Sequence, residues 1–490
     1  MAILSPLLLL LVLFGLLSLR ILRRILVKSS VTGRIRGPPA KSFLLGHFLP
    51  YYSDEVGAHE FKWQEAYGAV YRIKALLGED RLMVSDAKAL QYMYQSSSTK
   101  FVRPTVRREF SRLYLGRGIA WSLGDDHKRH RKILAPAFTK VESRGMLPFF
   151  RATAGRLCHH WETMITESST SPTATVDVAD WLSRAALDAL GDIAFDYQFD
   201  TLENADDRLA KAHCSLLVST FGLPTPGKIF AQHFLTYMPM WFFKVLEHSP
   251  SRSLKGLRNV ATEGNRVAKE LVDRRLNAMK AGTDGIPKDI MSILVQANAS
   301  ETPTTKLSME ELYAEMRTIM VAGHETTGCS MAFMLYELAK HHSIQEKVRS
   351  ELLASEEQAR AQGRSELSNE DMDSMPYFMA VIKETLRIHP VAYGPFLECM
   401  QDDVLPLSKP IRTIDGQLIS EIPVRKGQIL HASLSGYNRL PDIWGPDPHT
   451  FRPERWLDGS LDDITSPFGV YANLGNFASG AVACLGWRFA

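Results

Sequence analysis

Near its C-terminal end the chain reads Phe477-Ala478-Ser479-Gly480-Ala481-Val482-Ala483-Cys484-Leu485-Gly486, or F-x-x-G-x-x-x-C-x-G. Glycines on both sides of a cysteine let a loop approach a flat ligand closely. A helix beginning just after the cysteine would favour its thiolate, the form that ligates metal. A lone buried cysteine is more often a small hydrophobe, but four fixed residues within ten make chance a poor account of this pattern. The other cysteines (Cys158, Cys214, Cys329, Cys399) bring the total to five, an odd number without a C-x-x-C pair. That count disfavours a disulfide framework or a zinc ribbon.

Three further patterns lie upstream. Glu384-x-x-Arg387 stands on a predicted helix and is followed by His389-Pro390 and by Phe451-Arg452-Pro453-Glu454-Arg455-Trp456. An acid and a base three apart are ordinary helix-surface chemistry, and Glu109/Arg112, Glu263/Arg266, Glu346/Arg349 and Glu357/Arg360 share the spacing. Only Glu384/Arg387 has that sequel. A helix predicted over Ser308 to His341 opens on the capping box Ser308/Glu311 and would run about 33 residues, roughly 50 Å. Its middle, Ala322-Gly323-His324-Glu325-Thr326-Thr327-Gly328, is a poor helix interior. It reads equally as a kink tolerated for close packing and as a groove carrying a hydroxyl and a carboxylate into a site. Finally, Gly124 to Phe138 places His127 and Arg131 on one helix face at i,i+4, with Lys128, Arg129 and Lys132 forming a basic strip.

Together these motifs resemble the cytochrome P450 family, the haem-thiolate monooxygenases, of the microsomal eukaryotic, fungal-like type, over nearly the whole chain. The resemblance implies a mainly α (α+β) fold with a long central helix and small β-sheets, and haem b (iron protoporphyrin IX) as cofactor. Cys484 would be the axial ligand of the iron, in a loop shaped by Phe477, Gly480 and Gly486. His127, where many relatives have Trp, and Arg131 would contact a haem propionate. Glu325 and Thr326 would organise water and deliver protons to dioxygen. Glu384, Arg387 and Arg455 would form a structural cluster that locks the segment leading to the cysteine. The basic strip would dock an acidic flavoprotein, the NADPH-cytochrome P450 reductase, although a solvated basic face reads the same way.

The chain also departs from the family pattern. Val482 stands where most relatives have Arg or His, and Leu397 where another propionate-binding Arg is usual, so weaker haem retention is expected. The chain ends at Ala490, six residues after Cys484, where the family continues through a helix and a β-hairpin; a C-terminal truncation is the expectation. The implied activity is insertion of one oxygen atom from O2 into a small apolar organic substrate. The alternatives are a catalytically impaired truncated haem protein and a haem-thiolate isomerase or dehydratase; retention of Glu325 and Thr326 argues against the latter. Pocket residues are expected within Phe110 to Trp121 and Ser219 to His233.

Composition agrees with one large enzyme. The 490 residues are 45% hydrophobic and 23% charged, with 57 Lys+Arg against 54 Asp+Glu, which excludes a disordered, collagenous or multi-span membrane protein. Seven of the basic residues (Arg20, Arg23, Arg24, Lys28, Arg34, Arg36, Lys41) precede the first acidic residue, Asp54, and setting them aside leaves 50 basic against 54 acidic. The positive balance therefore reports a basic N-terminus and points away from nucleic acid. Before it, Ile3 to Leu19 is apolar enough for a helix of about 19 residues, roughly 28 Å. Basic residues following the run argue for a retained single-pass anchor with the body on the cytosolic side, and the resemblance implies the endoplasmic reticulum membrane. The expected organisation is a membrane anchor over 1–27, a basic and Pro-rich linker over 28–50 and a catalytic domain over 51–490.

Overall fold

The computed structural model describes Gly15, Ser18 and residues 31–490 except 97–98, 168–172, 205–224, 250–251, 282–288, 303–304 and 463–467. The expected anchor therefore lies, but for those two residues, outside the described residues. Among the described residues no helix is long and apolar enough to cross a membrane.

Helices dominate, and two small sheets flank them. The first strands are β1 (Val70–Lys74) and β2 (Asp80–Val84). Helix α1 (Ala87–Gln95) follows, capped by Asp86, whose side chain accepts the Ala89 N–H. After β3 (Phe101–Val102) come α2 (Thr105–Leu115), α3 (Gly124–Leu134), α4 (Leu147–Thr166) and α5 (Val178–Phe195). Next are α6 (Pro226–Phe234), α7 (Arg252–Ala281), α8 (Ile290–Ser300), α9 (Met309–Lys340), α10 (His342–Ala361) and α11 (Pro376–Ile388). Strands β4 (Phe396–Cys399), β5 (Asp403–Arg412), β6 (Leu418–Val424) and β7 (Ile429–Ala432) complete the sheets. One sheet has the order β1-β2-β7-β4-β3 and the other pairs β5 with β6. β2 and β7 run parallel, with Leu82 opposite Leu430, and the remaining pairs are antiparallel.

The spacing of apolar residues predicts helices over Asp180 to Phe195, Val260 to Met279, Ser308 to His341, Ile344 to Gln358 and Asn369 to Arg387. The first four are helical with ends shifted by up to eight residues, and the last needs a correction. The continuous helix expected from Asn369 to Arg387 is broken: a short turn of helix, Asn369–Asp373, stops, and α11 restarts at Pro376. Proline cannot donate the backbone bond that a helix interior needs, whereas its fixed φ suits a first turn.

Two hydrophobic cores organise the molecule. One gathers around the five-stranded sheet and includes Leu82, Leu90, Leu397, Leu430, Tyr437 and Trp444. The other lies between helices and includes Leu187, Leu190, Val267, Leu271, Met316 and Met320. α9 crosses the second core against α5, and this contact explains its two glycines. A Cβ on Gly328 would lie 2.9 Å from the Ser183 Cα, and one on Gly323 would lie 3.0 Å from Leu190 Cδ2. Both permit close packing, and α9 stays helical throughout its length.

Candidate cofactor and substrate site

The site rests on a buried carboxylate. Glu384 on α11 is completely buried, as are Arg387 one turn on and Arg455 on the following segment. Arg387 donates from Nε to Glu384 Oε2 (2.9 Å) and from Nη2 to Oε1 (2.8 Å). Arg455 Nε donates to Oε1 at 3.0 Å, Trp456 Nε1 to Oε2 at 3.0 Å and the Arg452 N–H to Oε1 at 2.8 Å. The remaining guanidinium donors reach carbonyls of Asn438, Trp444, Pro448 and Thr450 at 2.6–3.1 Å. A buried ion pair is tolerable when its other donors and acceptors are satisfied, as they are here.

From this cluster the chain turns into the cysteine loop. Asn476 Nδ2 donates to the Leu386 carbonyl at 2.6 Å and Asn438 Nδ2 to Asn476 Oδ1 at 2.8 Å, tying the start of the loop to α11. The Cys484 N–H donates to the Phe477 carbonyl at 2.8 Å, which closes the loop. Gly480 has φ +62°, and a Cβ there would meet the Tyr94 carbonyl oxygen at 2.7 Å, so this position demands glycine. Gly486 does not: its nearest neighbour would be Phe138 at 3.9 Å. Ala478 and Val482 pack on the sheet core and Phe489 on the helical core, so the loop bridges the two. Val482 and Leu397 both serve the sheet core, Leu397 being buried on β4.

Cys484 itself is exposed. Among the described residues, 485–489 form turns, so the helix expected just after the cysteine does not begin within them. Although one face of the residue is open, the protein packed around the sulfur disfavours the thiolate and pushes the thiol up, while the Gly486 N–H and the Arg131 charge pull it down. Arg131 also donates from Nη1 to the Ala483 carbonyl at 2.6 Å. It thereby holds α3 against the loop, one residue from the sulfur.

His127 shares that face of α3. It is buried with Nδ1 unpartnered, and burial together with the charges of Arg103 and Arg131 lowers it to about 4. Arg103, just before Pro104, is the cation that sequence reasoning missed. Its guanidinium is pushed down by burial and by Arg108, and the charged and phenolic groups that act on it (Arg108, Tyr94, Tyr114) include no carboxylate. Its one early signal was an Arg beside a strand-ending Pro. Arg103, the orphaned imidazole and Arg131 form the donor set that an anionic edge of a cofactor needs, and the uncovered thiol supplies the metal ligand, so the residues present fit a haem. The basic strip, in contrast, is neutralised within the chain. Lys128 pairs with Asp125 (2.9 Å), Arg129 with Glu311 (2.7 Å) and Lys132 with Glu301 (2.6 Å).

On α9, Ala322, Thr326 and Cys329 are exposed while His324, Glu325, Thr327 and Gly328 are buried. A helix through a core that leaves one such stripe uncovered borders an open space. Thr326 Oγ1 donates to the Ala322 carbonyl one turn back at 2.7 Å. Glu325 lies near Tyr114 of α2, whose phenol it helps to raise after burial.

Tyr114 also lines a cavity of about 560 Å³. Its walls include Val106, Phe110, Leu254, Leu257, Phe396 and Ile429, with Arg81, Arg103, Arg107, Lys228 and His233 among them. Both segments expected to carry pocket residues contribute, through Phe110, Ser111 and Tyr114 and through Lys228, Ala231, Gln232 and His233; 219–224 lies outside the described residues.

A family model described as Cytochrome P450 matches residues 36–490. Cytochrome P450 monooxygenase 91 of Postia placenta is 33% identical over 96% of this chain and 87% of its own length. Cytochrome P450 monooxygenase claQ of Ampulloclitocybe clavipes is 31% identical over 98% of this chain and 87% of its own length. Cytochrome P450 monooxygenase 219 of Postia placenta is 30% identical over 94% and 84%.

Proposed function

Because the chain belongs to the cytochrome P450 family and is a haem-dependent monooxygenase, we propose that it inserts one oxygen atom into an organic substrate held in the 560 Å³ cavity, with Cys484 as the iron ligand. The observation that carries this reading is the uncovered thiol of Cys484 in a closed loop pinned by Arg131. Bound haem supplies the activation of dioxygen, tuned by an electron-rich thiolate.

The chain's own residues do the rest. Arg131, Arg103 and His127 hold the anionic edge of the cofactor, and the loop from Phe477 through Gly480 to Gly486 fixes the sulfur. Thr326 offers a hydroxyl that donates to the Ala322 carbonyl and keeps its oxygen free to accept, and Glu325 stands beside it as the proton store. Together they move protons through ordered water to the oxygen that leaves. Retention of both groups favours oxygen activation over isomerisation or dehydration. Glu384, Arg387 and Arg455 keep the approach to the loop rigid.

Electrons come from an NADPH-dependent flavoprotein reductase docking on the α3 face, where Lys128, Arg129 and Lys132 would exchange intramolecular acids for the partner's. Residues 1–27 anchor the protein to the endoplasmic reticulum membrane, 28–50 link the anchor to the body, and 51–490 form the catalytic domain on the cytosolic side.

The deciding experiment is the spectrum of the reduced protein under carbon monoxide. A thiolate-ligated haem gives a strongly red-shifted Soret band, which Cys484→Ser should abolish. A folded wild-type protein without that band would overturn the reading. Oxygen- and NADPH-dependent turnover with a reductase then separates monooxygenation from rearrangement.

A further inference from the structure

The cavity has an unusual charge balance. Four side chains of fixed positive charge line it, Arg81, Arg103, Arg107 and Lys228, and among the described lining residues there is neither Asp nor Glu. Arg81 is balanced from behind by Glu79, 2.9 Å from its Nη2, and that carboxylate also accepts the Tyr237 hydroxyl at 2.6 Å. Arg103 serves the cofactor edge.

Arg107 on α2 and Lys228 on α6 remain, and neither is ion-paired among the described residues. Arg107 stands among hydroxyls and rings: its guanidinium donates toward the Tyr52 hydroxyl oxygen, and Tyr114, Tyr393, His233 and His431 lie within reach of its charge. Two buried side chains of the lining also keep polar atoms without partners, Nε of Arg81 and Nε2 of His233. Burial together with the charges of Arg81 and Arg107 holds His233 well below its usual range, so its ring is neutral and adds no competing cation.

A positive potential inside apolar walls is costly unless an anion completes it. A guanidinium fork matches a carboxylate in geometry as well as charge. We infer that this cavity takes an apolar molecule bearing a carboxylate, with the carboxylate held by Arg107 and Lys228 and the hydrocarbon lying along Val106, Phe110, Leu254, Leu257 and Ile429. This deepens the monooxygenase reading and rests on it: the head group would orient the chain and so select which carbon is oxidised.

The test is calorimetric titration of the full-length holoprotein with decanoate and with its uncharged counterpart decanamide, both below micelle-forming concentrations. Decanoate should bind at least about tenfold more tightly, the worth of one charge-assisted hydrogen bond. Arg107→Gln should remove most of that preference while leaving decanamide affinity and the carbon monoxide band in place. Lys228→Gln, at an exposed position, is the second variant and should erode the preference less.

Equal affinity for acid and amide in the wild-type protein overturns the proposal, as does an Arg107→Gln loss shared equally by both ligands. Failure of wild-type protein to bind either ligand overturns it as well. In each case the carbon monoxide spectrum reports separately whether the haem-thiolate reading stands.

Discussion

His130 and Glu315 meet across the contact of α3 with α9, and both are completely buried. The Glu315 carboxylate accepts from the His130 Nδ1 side and from the Ile119 N–H at 2.8 Å, yet burial still raises it above the usual carboxylate range. Replacing one member strands the other, so His130→Ala should cost about 3–5 kcal/mol, read as a shift in urea midpoint. Adding Glu315→Gln should recover part of the loss, because the stranded charge is then gone. Arg103 carries a second prediction. Arg103→Gln should lower the haem-to-protein ratio that survives gel filtration, with Arg103→Lys intermediate; an unchanged ratio would remove Arg103 from the cofactor's edge. Neither residue stood out in the sequence. A single charged side chain on an amphipathic helix or beside a proline has no periodic signature, and its role appears only when another element closes over it. Glu384 differs because its partners sit in a recognisable order along the chain.

Helices α5, α7 and α9 were legible because apolar residues recur at helical spacing, and the Ser308/Glu311 capping box marks the start of α9 in sequence and structure alike. What the sequence left undecided was the purpose of the small residues inside α9, since packing against α5 is a property of two elements. The structure gives Gly328 a backbone neighbour and leaves Gly256 on α7 with nothing within 4 Å. The two should therefore respond oppositely to the same change. Gly328→Ala should destabilise by about 1–3 kcal/mol through overpacking. Gly256→Ala should stabilise by about 0.4–1 kcal/mol through the unfolded chain. Denaturation curves measured side by side check both signs. The α11 boundary was misjudged for a related reason: hydrophobic spacing runs on past a proline that hydrogen-bond chemistry does not allow inside a helix.

At the scale of the molecule, one buried acid links folding to pH. Glu60 is completely buried, accepts the Ser433 hydroxyl, and is raised by burial to about 7. A carboxyl that binds its proton more tightly when folded stabilises the native state below its unfolded pKa. That contribution fades as pH climbs from about 4.5 through about 7. Glu60→Gln should therefore flatten the profile and leave the protein more stable than wild type at pH 8, by roughly 3 kcal/mol; parallel denaturation at pH 5 and pH 8 tests it. The overall architecture was legible through the family motifs, whereas the cavity's charge balance was not, because Arg81, Arg107 and Lys228 come from three separate elements. The bridging of two cores by the cysteine loop has a practical corollary. Ala478 and Val482 lean on one core and Phe489 on the other, so loosening either would move the sulfur before the rest of the fold gives way. The colour of the loaded protein should then fade ahead of its helix signal on heating, making the pigment an early-warning gauge of damage anywhere in the body.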